Sequence, residues 1–310
     1  MRIDRAWRSS LDILERAFYI YLREWRISMS DNSAIEWTDS TWNPVTGCSK
    51  VSEGCRNCYA EALSLRFGRS KKPWAAQFAS ENVILHPDRL DYPLKWKEPR
   101  RVFVNSMSDL FHELVPDQFI TQVFKVMGQA PQHTFQVLTK RPGRMGSLLR
   151  SWTERYSIRM LSDVDVAGAW PRPNIWLGTS VEDQRSADER IPLLLDTPST
   201  VRFLSCEPLL APIDLCKASG APSTHPHGPS CAAWLERLHW VIVGGESGPR
   251  YRSMDLEWAR SLRDQCQAAG VPFFFKQVGG RTPKAGGRDL DGRTWDEMPQ
   301  SVGQPAVVAV

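Results

Sequence analysis

The sequence predicts an α/β fold built as a parallel (β/α) barrel of the TIM type, complete or partial. Short apolar runs recur along most of the 310-residue chain, and most are continuous, as expected for parallel strands buried on both faces. Amphipathic helical segments fill several gaps between the runs, which indicates right-handed crossovers between parallel strands. With seven or eight strands, a closed or partly closed barrel is favoured over an open doubly wound sheet.

The predicted strands are runs of β-branched and aromatic residues. The first is short and lies near Trp42, and the others cover residues 83–85, 102–104, 135–138, 175–177, 201–204, 240–243 and 273–275. Pro272 opens the last run, at a position where a strand tolerates proline. Beyond it, Asp291 and Gly292 signal a hairpin turn.

Helix boundaries are predicted from capping residues, which satisfy the unpaired backbone groups at helix ends. The predicted starts are Tyr59, Asp117, Pro142, Ser180 with Asp183 as its capping-box partner, and Asp255, and the predicted ends include Gly68 and Gly270. Cys266 falls on the apolar face of the last of these helices, so it is interpreted as a core residue.

Three regions are distinguished along the chain. Residues 1–28 indicate one amphipathic, Arg-rich helix, either an appendage or a stretch translated from an upstream start, because its acidic residues argue against a targeting peptide. Residues 29–278 form the predicted barrel, with a loop insertion at 213–237. Residues 279–310 form a Gly- and Pro-rich C-terminal extension.

The composition limits the classes of function. The net charge of +4 comes from 39 basic and 35 acidic residues, a mixed surface that permits contact with phosphates without arguing for it. The thirteen Trp offer flat rings for stacking on bases, although most buried Trp are packing residues. No apolar run approaches the ~20 residues of a membrane span. The seven cysteines, an odd number and clustered, suit a reducing, cytoplasmic location.

Three cysteines, Cys48, Cys55 and Cys58, form a C-x6-C-x2-C loop directly after the first predicted strand. Three thiolates on one loop can hold a soft metal centre and leave one coordination position free. A structural zinc site requires a fourth protein ligand, and the nearest His or Cys in sequence, His86, lies well beyond the loop. An iron–sulfur cluster is therefore favoured over zinc with a distant fourth ligand and over a chance cluster of structural cysteines.

Polar residues follow directly after most of the predicted strands. In a parallel barrel these positions lie at one rim, the carboxyl ends of the strands, where barrel active sites form. Charged residues there are costly to bury without a partner, so they either pair with one another or bind a ligand. The candidate cofactor-binding residues are Ser106, Asp109, Thr179, Ser180, Glu182, Glu207, Gly244, Gly245 and Glu246, and the candidates for substrate binding and catalysis are Lys140, Arg141 and Lys276.

Motifs spread over residues 33–300 match a known family. They are Glu36-Trp37-Thr38, Thr41-Trp42-Asn43-Pro44, Gly47-Cys48, Gly54-Cys55, Cys58-Tyr59-Ala60-Glu61, and residues 108–112, 138–142, 178–182, 206–209 and 244–248. Together they resemble a largely uncharacterised phage and bacterial family known for its three-Cys motif. The placement of the cysteine loop also resembles the radical S-adenosylmethionine (SAM) superfamily.

The resemblance implies that Cys48, Cys55 and Cys58 ligate a [4Fe-4S] cluster whose open iron binds SAM. Cleavage of SAM would then give a 5′-deoxyadenosyl radical that abstracts hydrogen from a substrate. It implies a flavodoxin- or ferredoxin-type electron donor, and it allows a separately encoded partner protein. Two features depart from the superfamily: the first gap between cysteines is six residues instead of three, and Asn57 replaces the usual aromatic before the last cysteine.

The phage association and the mild basicity favour a nucleobase, nucleotide, DNA or RNA as the substrate. Two other functions stay open from the residues alone. One is a metal-stabilised protein that binds nucleic acid or a partner without radical chemistry. The other is a hydrolase or lyase that uses Glu207 or Glu246 with a divalent metal.

Overall fold

The computed structural model describes residues 29–30, 33–158, 170–218 and 235–299. The helix predicted over residues 1–28 and most of the predicted 213–237 insertion lie outside the described residues.

One sheet of eight strands organises the molecule, and its spatial order follows the chain. The strands are β1 (Met29–Ser30), β2 (Ser40–Trp42), β3 (Val45–Thr46), β4 (Ile84–Leu85), β5 (Arg101–Val104), β6 (Thr134–Thr139), β7 (Ile175–Ser180), β8 (Val201–Cys206), β9 (Trp240–Gly244) and β10 (Phe273–Gln277), of which β3 and β4 form a separate pair. From β2 to β10 the strands of the large sheet are all parallel, and β1 pairs antiparallel with β2. The α/β class and seven of the predicted strands are confirmed.

The large sheet curls into a half-barrel. Along the described residues, the edge strands β1 and β10 do not pair with each other, so the sheet is open there. On its concave face, the Trp37 ring lies 4.7 Å from the Phe103 ring of β5 and 6.2 Å from the Trp240 ring of β9. Three strands separate β5 from β9, so side chains from both can meet at Trp37 only if the sheet bends around them.

The helices are α1 (Tyr59–Arg66), α2 (Ala79–Asn82), α3 (Asp117–Gln129), α4 (Pro142–Ile158), α5 (Gln184–Leu195), α6 (Leu215–Ala218) and α7 (Leu256–Ala268). The helices from α3 to α7 contribute side chains to the core on the convex face, whereas α1 packs in a separate cluster beside the cysteine loop. Outward-facing Val104 and Val137 share one core with Phe124 of α3. Asp255 caps α7 by accepting the Glu257 N–H, and Cys266 is fully buried in the core, as predicted.

The strand predicted at residues 83–85 is not part of the half-barrel, and this prediction is wrong. The segment forms β4, which pairs antiparallel with β3 beside the cysteine loop. Ile84 is 44% exposed, so this strand is not buried on both faces as a barrel strand would be. A short apolar run carries too little periodicity to distinguish the two cases.

Two predicted helix caps are also wrong. Ser180 lies inside β7, and the capping box is formed one turn later by Asp183 and Ser186, whose side chains each accept a backbone N–H of the other. Asp117 is the first residue of α3, while Pro116 occupies the cap position without a side-chain hydrogen bond.

The C-terminal extension covers the edge strand β10. The Phe275 N–H donates to Trp295 O at 2.9 Å, and the Trp240 indole N–H donates to Glu297 O at 2.8 Å. The turn predicted at Asp291 and Gly292 is confirmed, with φ values of 60° and 75°. No helix in the described ranges is both long and apolar enough to cross a bilayer.

Candidate functional site

The cysteine loop, residues 47–58, lies against the carboxyl ends of the parallel strands. At its start, Gly47 forms a parallel bridge with Ser108, in the segment that follows β5. Just past its end, the Tyr59 hydroxyl donates a hydrogen bond of 2.7 Å to Ser106 O in the same segment. The loop is therefore attached to the rim at both ends.

The three cysteines of the loop are free, half-buried thiols. Cys48 and Cys58 pack against the same small apolar cluster, which contains Trp74. Burial raises the pKa of Cys48 to about 12, and Asp109 and Cys55 add to the rise. Burial also raises the pKa of Cys58, again with a contribution from Cys55. Cys55 therefore lies close enough to both other thiols to disfavour their charged forms.

The three thiols are soft donors of the kind that bind transition metals. Within the described ranges, no group of three or more Cys, His, Asp or Glu is gathered closely enough to hold one metal ion. His86, the nearest His or Cys to the loop in sequence, shares a 2.8 Å hydrogen bond with Thr46.

Arg141 and Asp109 anchor the first cysteine. The Arg141 guanidinium donates to Cys48 Sγ at 3.7 Å and to Ser49 Oγ at 3.2 Å. It also forms a buried ion pair of 3.2 Å with Asp109, whose other oxygen accepts the Thr139 hydroxyl at 2.7 Å. Both residues were predicted to bind ligands, but their polar atoms are committed to holding the loop on the end of β6.

His112 gives the loop a second support. The Leu114 N–H donates to His112 Nδ1 at 3.1 Å, so this nitrogen is an acceptor and the ring hydrogen resides on Nε2. Nε2 lies 2.8 Å from Ser49 Oγ and donates to it. Burial, together with the charge of Arg141, lowers the pKa of His112, in agreement with a neutral ring.

Glu246 fastens the second half of the loop. Its carboxylate accepts the Asn57 side-chain N–H at 2.9 Å and forms an ion pair of 2.6 Å with Arg252. Asn57 also donates to Arg250 O at 2.7 Å, and Arg252 donates to Glu53 O at 3.0 Å. Although burial alone would raise the pKa of Glu246, the hydrogen bonds from Arg252 and Asn57 lower it below its usual value. The carboxylate predicted to bind a cofactor therefore links the loop to the segment after β9.

Glu182 is buried beneath the loop. It is 1% exposed and forms an ion pair of 3.0 Å with Arg190 of α5. The loop passes so close that a Cβ on Gly54 would lie 3.0 Å from the Glu182 carboxyl carbon. A glycine before Cys55 thus allows the loop to pack on this ion pair.

A polar surface lies between β7 and β10 on the concave side. Lys276 donates to Glu207 in a partly buried ion pair, and Gly244 leaves ordinary contact space beside the Glu207 side chain. Ser180 and Ser205 are buried register partners on neighbouring strands of this rim. The structure therefore brings the predicted residues Ser180, Glu207, Gly244 and Lys276 to one surface. Within it, Glu207 and Lys276 pair with each other.

Among the cations predicted at the rim, Lys140 is the one whose ammonium group has no acidic partner in the described residues. It is half-buried, and its positive charge acts on Cys58, so the ammonium group lies near that thiol. Across the part of the chain that the structure describes, its ammonium forms no ion pair. A half-buried cation without an acidic partner is available to bind an anionic group beside the thiols.

Gly245 and Thr179, both predicted to bind a cofactor, contact other parts of the protein. A Cβ on Gly245 would lie 1.9 Å from Val278 O, so the close approach predicted for this glycine is to the chain's own backbone. The Thr179 hydroxyl donates to Thr139 O at 2.8 Å and joins the ends of β6 and β7.

Asn105 is a rim residue that the sequence did not single out. It follows β5 with a φ of 63°, and it is 2% exposed. Neither its side-chain oxygen nor its nitrogen has a hydrogen-bond partner among the described residues. A buried amide of this kind is a candidate contact for a bound ligand.

A basic cleft beside the loop was also missed. It encloses about 350 Å³ and is lined by Lys50, Arg56, Asn57, Arg250 and Arg252. In sequence these charges resemble an ordinary solvated surface, and only the alternation of Arg250 and Arg252 around a tyrosine hints at a site.

Comparison with known proteins identifies a family. The model of a family described as a protein of unknown function, DUF5131, covers residues 32–299. No curated protein and no solved structure matches the chain significantly.

Proposed function

The chain belongs to the DUF5131 family of proteins of unknown function, and we propose that it is a radical-SAM-like iron–sulfur enzyme on a partial TIM-type barrel. The observation that carries the proposal is the convergence of three free thiols on one loop at the carboxyl ends of the parallel strands. Active sites of parallel barrels form at this end.

Cys48, Cys55 and Cys58 are the residues that would hold a [4Fe-4S] cluster. When bound, such a cluster with SAM supplies one-electron cleavage chemistry. Because burial keeps the pKa of Cys48 at about 12, the metal-free loop holds this thiol protonated, and loading must displace a proton. Arg141, which donates to Cys48 Sγ, favours the thiolate and tunes its electron density.

The rim residues divide into two roles. Asp109, Arg141, Glu182 and Glu246 position the loop through the ion pairs described above. Lys140 keeps its charge free and is the residue we assign to a carboxylate of SAM or of the substrate. Ser180, Ser205 and the Glu207–Lys276 pair line the remaining polar surface, where they can bind hydroxyl and amino groups.

The test is anaerobic reconstitution of the full chain with iron and sulfide, followed by chemical reduction and incubation with SAM. We expect a brown protein with broad visible absorbance, bound iron, and formation of 5′-deoxyadenosine. Cys55→Ala should lose the iron and the product. Cys266→Ala, which removes a free cysteine from the α7 core, should keep both.

Three results would contradict the proposal. A colourless protein with stoichiometric zinc would favour a metal-stabilised binding protein. A loaded protein that forms no 5′-deoxyadenosine would exclude radical chemistry. Metal-dependent hydrolysis that survives Cys55→Ala would favour an enzyme acting through Glu207 or Glu246.

A further inference from the structure

The basic cleft joins the cysteine loop to the segment after β9. Lys50, Arg56 and Asn57 come from the loop, and Arg250 and Arg252 come from the segment. Asn57 lies directly before Cys58 in the chain, so the cleft borders the loop that carries the three cysteines.

The cations of the cleft are unequally neutralised. Lys50 pairs with Glu61 at 2.8 Å, and Arg252 pairs with Glu246 at 2.6 Å. Arg56 is only 3.9 Å from the exposed Glu53 carboxylate, at the limit of an ion pair. The exposed Arg250 side chain forms no ion pair within the described ranges. Among the described residues, the Arg250 guanidinium is therefore unpaired and the Arg56 guanidinium is only weakly paired, so both can receive an anion.

Exposed apolar side chains neighbour these cations in the sequence. Tyr251, between the two arginines of the segment, is 42% exposed, and Val51, next to Lys50, is 44% exposed. Arginine forks match phosphate oxygens in a bidentate manner, and an aromatic ring among basic residues offers a stacking surface to a base. A simple carboxylate ligand would make no use of the ring.

We propose that the basic cleft binds a phosphate of a nucleotide or nucleic-acid strand through Arg56 and Arg250, while Tyr251 stacks on an adjacent base. The inference rests on the proposed function in that it names the substrate class of the same site. Phosphate binding itself requires neither iron nor SAM.

The test measures binding of a fluorescent single-stranded oligonucleotide to the reconstituted full chain by anisotropy at several salt concentrations. Each lost phosphate contact should weaken binding by about threefold and flatten the salt dependence. We therefore expect this result for Arg56→Gln and for Arg250→Gln. Lys125→Gln, which removes an exposed charge from α3, should bind like the unmodified protein.

Stacking by Tyr251 and the source of the bound phosphate are tested in separate experiments. Tyr251→Ala should weaken oligonucleotide binding about fivefold or more, with no change in the salt dependence. Competition by a mononucleotide at similar concentration would identify a free nucleotide as the source of the phosphate. Competition only by unlabelled strands would identify nucleic acid. Either result supports the inference.

Absence of saturable binding to the unmodified protein would overturn the inference, as would equal weakening by Lys125→Gln and Arg250→Gln. The two proposals fail in different ways. Formation of 5′-deoxyadenosine without oligonucleotide binding overturns this inference alone. Binding by a protein that cannot be loaded with iron overturns the proposed function alone.

Discussion

At the scale of single residues, the rim shows why a buried charge does not by itself identify a ligand site. Asp109, Glu182 and Glu246 each lie at a strand end, and each has an arginine partner. Burying a carboxylate without a partner is costly, so ion pairing accounts for their burial. The sequence displays the acids, but their partners are recognisable only after folding. Lys140, which has no acidic partner among the described residues, is the more informative charge.

A single histidine should make the stability of the protein sensitive to acid. Burial lowers the pKa of His86 to about 4, and Arg89 and Arg69 lower it further while Asp88 opposes them. In the unfolded chain the pKa is about 6.5, so the unfolded state binds the proton first as the pH falls. The contribution of His86 to the free energy of unfolding is therefore complete above about pH 6.5 and declines towards pH 4.

As the pH is lowered from about 7 to about 5, the Tm of the His86→Gln variant should therefore fall less than the Tm of the unmodified protein. Thermal unfolding followed by circular dichroism across this range measures the difference. His112, His133 and His239 also have lowered pKa values, so both proteins should keep some acid sensitivity. Identical pH profiles would show that His86 does not contribute.

At the scale of elements, strands were predictable where an apolar run is continuous and a polar residue ends it. These conditions hold for β5 to β10, whose alternate side chains are buried on both faces of the sheet. They also hold at residues 83–85, where His86 ends the run, yet this segment forms a short, partly exposed strand outside the large sheet, so the two conditions do not by themselves identify a barrel strand. The helix cap predicted at Ser180 is wrong because β7 continues through Ser180, and Asp183 caps the helix instead.

The cysteine loop should depend on Gly47. Its φ is +81°, and a Cβ there would lie 1.8 Å from Asn82 O at the end of α2. Gly47→Ala combines a left-handed backbone with a backbone clash, so we expect a loss of about 3–4 kcal/mol in the free energy of unfolding. Iron content after reconstitution should fall as well, because the loop must shift away from α2.

Gly68→Ala is the matched control. Gly68 has a φ of +68° with no atom near its Cβ position, so its replacement should cost only about 1–2 kcal/mol and leave iron binding intact. Denaturant unfolding and iron analysis distinguish the two variants. Equal losses would show that crowding at Asn82 is unimportant.

At the scale of the whole molecule, parallel topology made the gathering of the loop and the rim residues predictable, because all carboxyl ends of parallel strands lie on one side. The basic cleft was not predictable in this way. Arg56 and Arg250 are far apart in sequence, and neither segment alone is unusually basic. Their proximity follows from the contacts of Asn57 with Glu246 and Arg250 O, which no pattern in the sequence reveals.

The opposite end of the half-barrel should govern global stability. Trp240 begins β9 and is fully buried, and its ring meets those of Trp37, Trp176, Phe203 and Phe274. These contacts join four neighbouring strands, β7 to β10, to the segment before β2. An open sheet has no closing pair of strands, so this inner cluster is what holds its curvature.

Trp240→Ala should therefore lower the free energy of unfolding by about 3–5 kcal/mol, the usual cost of removing a buried Trp. Leu114→Ala, at a residue that is 47% exposed, should change it by no more than about 0.5 kcal/mol. Denaturant titration measures both values. Because Trp240 lies at the amino end of β9 and the cleft follows its carboxyl end, the folded variant should still bind the oligonucleotide. A loss below about 1 kcal/mol would mean that the helices on the convex face, and not the inner aromatic cluster, maintain the curl.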